Sequence, residues 1–310
     1  MKNNWPIVGH EDIIDFFQEA VKNGKLSHAY LFFGPEGLGK FRFAKILAKN
    51  LICPNTKDIF CGECGACKKF ENLNHPDVFI LDAKEQGGIS NIKDLIKRVQ
   101  LVPLEAKIKI AIIDNADNLT LEAANALLKT LEEPPSKTMI ILIAEDSGLL
   151  PETIRSRCQP INFKNISDDI LKKFAKSCGV NNGEIDYVVS RALGRPGLIE
   201  KNKFEQDKDL GLCLDLIGAD VFDRFSLANK IEVEIALPKL LIIYRDLLMC
   251  KIGTEERVIN KKDISKLRQL SGGYSVTSLL KIIRKIIESE ELLKKNVSKK
   301  LLFENLLLAF

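Results

Sequence analysis

The chain has 310 residues, of which 45% are hydrophobic and 28% charged, with a formal net charge of +4. This composition is ordinary for a globular protein of two to three domains, and the charge is too small to indicate nucleic-acid binding alone. No apolar run approaches the roughly 20 residues of a membrane span, and Met1–Pro6 leads into an amphipathic helix rather than a signal sequence. With scattered cysteines and no secretion signal, the sequence predicts a protein of the reducing cytoplasm.

The first two predicted elements are a helix and a strand that lead up to a glycine-rich loop. Apolar residues recur at helical spacing from Ile13 to Val21, and Gly24 fits the helix end. Ala29–Phe33 is a short apolar run, which predicts a buried strand.

The loop at 34–40 fits the phosphate-binding pattern G-x-x-x-x-G-K. In this pattern the backbone around Gly34, Gly37 and Gly39 cradles phosphate, and Lys40 reaches the terminal phosphates. The next residue is Phe41, where a serine or threonine would supply the hydroxyl that binds Mg²⁺. Two interpretations stay open, a degenerate site that still binds ATP or ADP and a loop retained for its shape alone.

Four cysteines follow within a short stretch, at Cys53, Cys61, Cys64 and Cys67. Two overlapping C-x-x-C pairs with a fourth cysteine upstream match a tetrahedral Cys₄ zinc site. Gly62 and Gly65 permit the tight turns that aim thiolates at one point, and a closed Cys₄ site predicts a structural Zn²⁺. The alternatives are disulfides, which a reducing compartment disfavours, and unrelated buried thiols, which the spacing disfavours.

A further amphipathic helix is predicted around Ile92, Leu95 and Val99. This helix and the residues after it carry a basic group, Lys93, Lys97, Arg98, Lys107 and Lys109. Such a group either contacts DNA phosphates or only solvates the helix face.

The middle of the chain predicts a strand, a helix and a second strand in immediate succession. Ile108–Asp114 is an apolar run that ends on a carboxylate, at the strand end where open α/β sheets place their ligand crevice. Thr120 is suited to cap the helix, Pro134 and Pro135 end it, and Met139–Ala144 is the second strand. The predicted apolar face of the helix is Leu121, Ala124, Leu128 and Leu131. The whole is a βαβ unit.

Two motifs of this region carry a resemblance to a known family. They are Leu127–Pro135, which reads LLKTLEEPP, and Ser156-Arg157-Cys158. Together they closely resemble the clamp-loader branch of the AAA+ ATPases, and from residue 5 to 310 the chain resembles the delta-prime subunits of bacterial DNA polymerase III. The resemblance also implies the zinc module, inserted after the first helix of the core.

The resemblance implies a nucleotide site that does not hydrolyse ATP. Active AAA+ members carry Asp-Glu at the strand end where this chain has Asp114 and Asn115, and an amide is a poor general base. They carry a phosphate-sensing arginine where this chain has Gly197, and Phe41 removes the hydroxyl that binds the metal.

Arg157 is predicted to act differently, because the Ser-Arg-Cys arginine of this family is an arginine finger. It projects in trans into the ATP site of a neighbouring subunit, where it neutralises charge on the γ-phosphate. On the residues alone, a surface arginine paired with an acidic residue stays an alternative.

We therefore predict an α/β P-loop (AAA+) core over 1–164, with the zinc module at about 53–70. A small helical lid follows over 165–208, and an all-α oligomerisation or collar domain covers 209–310. Broad apolar stripes in the last part, such as Leu240–Leu248, either close a self-contained bundle or bury a partner.

The function implied is that of a non-hydrolysing stator subunit in the DNA polymerase III holoenzyme. Its partners would be the gamma/tau ATPase subunits, the delta subunit, the sliding clamp and primed DNA. Two rival hypotheses are a competent ATPase of the gamma/tau type and a stand-alone DNA-binding zinc protein, which would bind DNA tightly and salt-sensitively.

Overall fold

In a computed structural model, the described residues are 5–56, 59–182, 185–200, 208–293 and 297–310. Several stretches of the predicted domains lie outside them. These are residues 1–4 of the predicted core, 57–58 of the zinc module, 183–184 and 201–207 of the lid, and 294–296 of the C-terminal domain.

The chain divides into two compact units. One comprises Met1–Val180 with Ala192–Lys201, and the other comprises Asn181–Arg191 with Asn202–Phe310. The first contains the sheet, and the second is helical in its described part. The three-domain division with boundaries at 164 and 208 stays a prediction.

A five-stranded parallel sheet forms the centre of the first unit, in the order β2-β3-β4-β1-β5. The strands are β1 Ala29–Phe33, β2 Val78–Asp82, β3 Lys109–Asp114, β4 Thr138–Ala144 and β5 Gln159–Asn162. Alternate residues of β3 enter two separate apolar clusters, Ile110 and Ile112 in one and Ala111 and Ile113 in the other. Both faces of the sheet are thus covered, as parallel sheets require, and the predicted parallel α/β core is confirmed.

Helices alternate with these strands. Those described before residue 201 are α1 Glu11–Lys22, α2 Lys40–Ile52, α3 Gly65–Glu71, α4 Ala83–Gln86, α5 Ile89–Val99, α6 Leu121–Glu132, α7 Glu152–Arg155, α8 Asp168–Ser177, α9 Ile185–Ala192 and α10 Pro196–Glu200. Pro196 begins α10, where its fixed φ and missing N–H are tolerated. Short 3₁₀ turns lie at Ala116–Asn118 and Ser147–Leu149.

The predicted βαβ unit is present as β3, α6 and β4. Thr120 caps α6, because its hydroxyl accepts the N–H of Ala123 at 3.2 Å. The predicted apolar face is partly wrong, since Leu121 is 66% exposed. The residues of α6 that are buried against the sheet are Ala123, Ala124, Leu127, Thr130 and Leu131. The helix is apolar on two adjacent faces, and packing against the sheet selects one of them.

An aromatic cluster fixes the surroundings of the glycine-rich loop. The ring of Phe32 in β1 lies 5.7 Å from the rings of Phe17 and Phe43 and 5.4 Å from that of Phe163. Phe163 directly follows β5 and is fully buried. Aromatic contacts at these distances stabilise the core beyond the area that they bury.

The second unit is a bundle of helices around its own core. Its described helices after residue 207 are α11 Lys208–Gly218, α12 Val221–Ala228, α13 Val233–Lys251, α14 Ile264–Ser271, α15 Val276–Leu293 and α16 Lys299–Leu307. Leu240, Ile243, Tyr244 and Leu247 of the predicted stripe are buried in this core. Among the described residues, no helix is both long and apolar enough to cross a bilayer.

Candidate functional site

The glycine-rich loop joins β1 to α2, as its pattern predicts. Gly34 has a φ of 139°, and a Cβ there would lie 2.3 Å from the carbonyl oxygen of Phe163, so that only glycine fits. Gly37 and Gly39 have φ angles of 87° and 85°, and Gly39 directly precedes α2. The loop therefore has glycine at each position where its turn needs one.

Lys40 is bound to the loop's own backbone. Its side chain is 7% exposed, and its ammonium donates to the carbonyl of Gly34 and, at 2.9 Å, to that of Pro35. Burial lowers the pKa of Lys40, although nearby carboxylates favour its charged form. The group that would reach terminal phosphates is thus already satisfied by two carbonyl acceptors.

Glu145 is a part of this site that the sequence analysis missed. It directly follows β4, and its backbone carbonyl accepts the N–H of Gly34 at 3.2 Å. Of the carboxylates that raise the pKa of Lys40, Glu145 has the largest effect, followed by Asp114, Asp117 and Glu36. A carboxylate near the loop opposes the approach of an anionic phosphate. The only signal in the sequence is a charged residue at the end of a buried strand.

The end of β3 places Asp114 beside Asp82 at the end of β2, since these two residues pair in register. Burial raises the pKa of Asp114, and Asp82 raises it further, whereas the N–H of Asn115 at 3.0 Å opposes the shift. The amide of Asn115 donates to the carboxylate of Asp82 at 2.8 Å. Asn115 is therefore bound as a neutral donor, and it cannot accept a proton from water.

Phe41 turns its ring into the core. It is partly buried against the apolar cluster that contains Ile110 and Ile112, and the ammonium of Lys45 lies 5.7 Å from its ring centroid. No hydroxyl is present at this position to bind a metal ion.

Gly197, which stands where a phosphate-sensing arginine is expected, is packed against the loop. Its backbone N–H donates to the carbonyl of Gly37 at 2.8 Å. A Cβ at Gly197 would lie 3.0 Å from that oxygen and 3.1 Å from the Cα of Gly37. Any side chain at position 197 would therefore displace α10 or the loop.

Arg157 lies at the opposite end of the strands from this loop. Only Cys158 separates it from the start of β5, and β5 runs parallel to its neighbour β1, with Gln159 beside Tyr30 and Asn162 beside Phe33. The loop begins after Phe33, so the two sites are separated along the sheet by about 15 Å, the length of a five-residue strand. Arg157 is consequently too far along the sheet to serve the chain's own loop.

The guanidinium of Arg157 is partly exposed, with 34% of the side chain accessible. Its Nη2 lies 2.5 Å from Oε1 of Glu132, the last residue of α6. Its Nη1 donates to the carbonyl of Thr153 at 2.7 Å. The sequence analysis left a surface ion pair open as an alternative, and it did not identify Glu132 as the partner.

The four cysteines converge as their spacing predicts, with all four sulfurs within 4.8 Å of one another. The Sγ of Cys53 is 3.7 Å from that of Cys61 and 3.9 Å from that of Cys64. Tetrahedral zinc with Zn–S bonds of about 2.3 Å requires sulfurs about 3.8 Å apart, so the cluster fits the ion. Disulfides do not link these four residues.

The turns of the cluster also differ from one another. Gly62 has a φ of 79°, as expected for a tight turn, whereas Gly65 is an ordinary helical residue that begins α3. Backbone N–H groups of Glu63 and Cys64 lower the pKa of Cys61 to about 6, and burial raises that of Cys67 to about 12. Only a bound cation would bring both thiols to the thiolate form at neutral pH.

The predicted basic group is wrong at one position, because the side chain of Lys109 is buried. Its ammonium lies 3.3 Å from the carboxylate of Asp77, and the two side chains are 2% and 0% exposed. Asp77 also accepts the backbone N–H groups of Leu104, Glu105 and Ala106 at 2.7–2.8 Å. Lys109 is therefore unavailable to DNA.

The segment that leads to the Asp77 contacts exposes three large apolar side chains. Leu101, Val102 and Leu104 are 65%, 80% and 77% exposed. We call residues 101–104 the apolar loop. Such exposure on an anchored loop is typical of an interaction surface.

Two family models match this chain. One, described as DNA polymerase III, delta subunit, matches residues 9–167, and the other, described as its C terminal, matches residues 208–310. The DNA polymerase III subunit delta′ of Bacillus subtilis is 30% identical over 315 residues, which cover 96% of this chain and 94% of that protein. The chain belongs to the bacterial DNA polymerase III delta-prime family. The resemblance to the delta-prime subunits of bacterial DNA polymerase III is thereby confirmed.

Two further relatives differ in how much of the chain they match. The DNA polymerase III subunit tau of Bacillus subtilis is 40% identical over 195 residues, 61% of this chain and 35% of that protein. The chain thus spans about a third of the length of this relative. The solved Bacillus subtilis clamp loader delta protein YqeN is 14% identical, with 95% of this chain and 98% of that chain covered and a TM-score of 0.40. Family membership does not depend on this structural match.

Proposed function

We propose that this delta-prime family member is a non-hydrolysing subunit of the DNA polymerase III clamp loader. It would assemble with the delta and gamma/tau subunits and place Arg157 in the ATP site of an adjacent gamma/tau subunit. The observation that carries the proposal is the position of Arg157 at the opposite end of the strands from the chain's own loop. An arginine there cannot reach that loop, which supports a contribution to the site of a neighbouring subunit.

The chain's own pocket supports the same role. Phe41 offers no metal-binding hydroxyl, Asn115 is tied to Asp82, and Gly197 replaces the phosphate-sensing side chain. Each of these residues removes a separate part of the phosphoryl-transfer machinery. We therefore expect no intrinsic ATP hydrolysis. Because Lys40 is bound to loop carbonyls and Glu145 opposes phosphate, we also expect weak binding of ATP or ADP.

Arg157 has the chemistry for a trans contribution. A guanidinium stays charged, and its planar N–H groups match the oxygens of a phosphate. Arginines supplied in this manner accelerate GTP hydrolysis by about 10³–10⁵-fold. The chain would thus act on a triphosphate that a neighbouring subunit binds.

The cysteine cluster is proposed to bind one structural Zn²⁺ through Cys53, Cys61, Cys64 and Cys67. The sulfur separations support this ion, and four thiolates leave no open position for a reaction. The ion would fix the start of α3 relative to the end of α2.

The apolar loop is proposed as the contact with the sliding clamp. A buried carboxylate binds the backbone at Leu104 and at the two residues that follow, so the C-terminal end of the loop is anchored before a partner arrives. DNA contact is assigned to the basic residues that remain exposed, Lys93, Lys97, Arg98 and Lys107. Primed DNA would meet these residues only within the assembled complex.

The proposal is tested by reconstitution with gamma/tau and delta. Arg157→Ala should leave assembly intact and lower DNA-stimulated ATP turnover at the affected site by at least about 10²-fold. Arg157→Lys should rescue little, because the ammonium lacks the planar fork. Unchanged ATP turnover in the assembled Arg157→Ala complex would contradict the proposal.

A competent gamma/tau-type ATPase is the second candidate, favoured by the 40% identity to the tau subunit. It predicts that the isolated chain hydrolyses ATP and that Lys40→Ala abolishes the activity. Hydrolysis that survives Lys40→Ala would indicate a contaminating enzyme. We expect no hydrolysis above background by the purified wild-type chain.

A further inference from the structure

Three acceptors from two separate segments hold the guanidinium of Arg157. The carboxylate of Glu132 contacts Nη2, whereas the carbonyl of Thr153 and, at 3.3 Å, the hydroxyl of Ser156 accept from Nη1. A guanidinium has five N–H groups, so these three contacts leave two for a ligand. The side chain is therefore oriented and still able to bind an anion.

Glu132 acts from a fixed position. It ends α6, and the carbonyl of the preceding residue, Leu131, accepts a hydrogen bond from the ring of His28 at 3.1 Å. His28 directly precedes β1, so the end of α6 is tied to the sheet. Pro134 and Pro135 follow and restrict the backbone after the helix. The carboxylate thus reaches Arg157 from a rigid support.

The contact is too weak to withhold the arginine from a triphosphate. The side chain of Glu132 is 48% exposed, and ion pairs with this exposure contribute little free energy because water screens them. A weak contact can still restrict the rotamers of a long side chain. Restriction before binding reduces the entropy that is lost when the arginine meets its ligand.

We propose that Glu132 is a positioning residue that orients Arg157 toward the triphosphate of a neighbouring subunit. This inference rests on the proposed function, in which Arg157 acts in trans. Glu132 itself would not touch the nucleotide. Its effect would appear in the transition state, where the guanidinium must meet developing charge.

The test uses the complete complex reconstituted with gamma/tau and delta. Glu132→Ala should lower kcat for DNA-stimulated ATP turnover about 3- to 10-fold with little change in KM, because the lost orientation matters mainly in the transition state. Glu132→Gln keeps an acceptor oxygen and should restore most of kcat. Glu133→Ala is the matched control, since Glu133 is an exposed neighbour without an assigned contact to Arg157, and it should leave kcat unchanged.

The outcomes separate this inference from the proposed function. Loss of turnover in Arg157→Ala with full turnover in Glu132→Ala overturns the positioning role alone. Full turnover in Arg157→Ala overturns both. In the double variant, Glu132→Ala should cause no further loss, and an additional loss would show that Glu132 acts independently of Arg157. Gel filtration and thermal unfolding of each variant exclude a defect in assembly or folding.

Discussion

Asp77 and Lys109 form a buried ion pair beside the C-terminal end of the apolar loop. The pair joins the start of β2 to the start of β3, and three backbone N–H groups of residues 104–106 complete the coordination of the carboxylate. Burial of Asp77 alone would raise its pKa. The N–H donors and Lys109 outweigh this effect and hold the pKa below its ordinary value.

Asp77→Asn should destabilise the protein by about 3–5 kcal/mol, because it leaves the buried ammonium of Lys109 without a counter-charge. Since the folded-state pKa of Asp77 is depressed, its stabilising effect is complete above the unfolded value near 4 and is lost as the pH falls through the folded value. The difference in free energy of unfolding between wild type and variant, measured in urea, should therefore be constant from pH 7 to 5. It should become smaller below about pH 4.

The control for this prediction is an ion pair that is exposed to solvent but has the same distance between its charged groups. Lys97 and Asp94 also lie 3.3 Å apart, but their side chains are 76% and 66% exposed. Asp94→Asn should change the free energy of unfolding far less than Asp77→Asn. Equal losses in the two variants would contradict the role of burial.

Replacing Gly197 by arginine should not restore a phosphate-sensing side chain. A Cβ there would lie 3.0 Å from the carbonyl oxygen of Gly37, so the variant must move α10 away from the loop. We expect a loss of about 1–3 kcal/mol in stability, as in other overpacked sites, and no gain of ATPase activity. Gly197→Ala should show most of the same loss in thermal unfolding, because the collision begins at Cβ. A stable Gly197→Arg variant that hydrolyses ATP would contradict the expectation.

Glu145→Gln should increase affinity for ATP. The change removes the carboxylate with the largest electrostatic effect on Lys40 and keeps the size of the side chain. A gain of about 3- to 10-fold is expected from the loss of one unfavourable charge interaction near a phosphate, measured by titration with a fluorescent ATP analogue. Glu36→Gln, which removes the weakest of the four effects, should change affinity less. Weaker binding by Glu145→Gln would show that the carboxylate assists the nucleotide.

Three of the five strands, β1, β3 and β4, could be read from the sequence because their apolar runs are bounded by glycine or charged residues. Ala29–Phe33 was predicted with the observed bounds of β1, and the loop pattern then located α2. The four cysteines were also predictable, since two short spacings bring three thiols together locally. In these cases the signal lies within a few neighbouring residues.

Contacts between distant segments could not be predicted in the same manner. Lys109 looked like a solvated cation, and its partner Asp77 is a turn residue directly before another strand, β2. Glu132 was part of a recognised motif, but its contact with Arg157 depends on where α6 ends relative to β5. Leu121 had the spacing of a buried residue and is exposed, because packing against the sheet selects the other apolar face. Tertiary geometry decided each of these positions.

Removal of the metal should unfold the cysteine module. The purified chain is expected to contain one Zn²⁺, and Cys67→Ser should lose it, because Cys67 is the fully buried ligand of the cluster. Loss of the ion should increase proteolysis around α3 and lower the thermal midpoint, since metal binding contributes directly to folding. Cys178→Ser, at an exposed cysteine outside the cluster, should retain the ion. Metal analysis that finds no zinc in the wild-type chain would contradict this prediction.

Replacing Leu101, Val102 and Leu104 together by serine should weaken binding of the sliding clamp. These side chains already lie in water, so the change costs little folding stability, whereas a bound clamp would bury them. Affinity of the reconstituted loader for the clamp should fall by at least about tenfold, because a few buried apolar residues dominate most interfaces. Leu121→Ser supplies the control, since Leu121 is 66% exposed and lies outside the apolar loop. Asp77→Asn should weaken clamp binding as well if the apolar loop is the contact, because it weakens the anchor at residues 104–106 without altering the apolar side chains. An unchanged clamp affinity in the triple variant would assign the clamp contact to another surface.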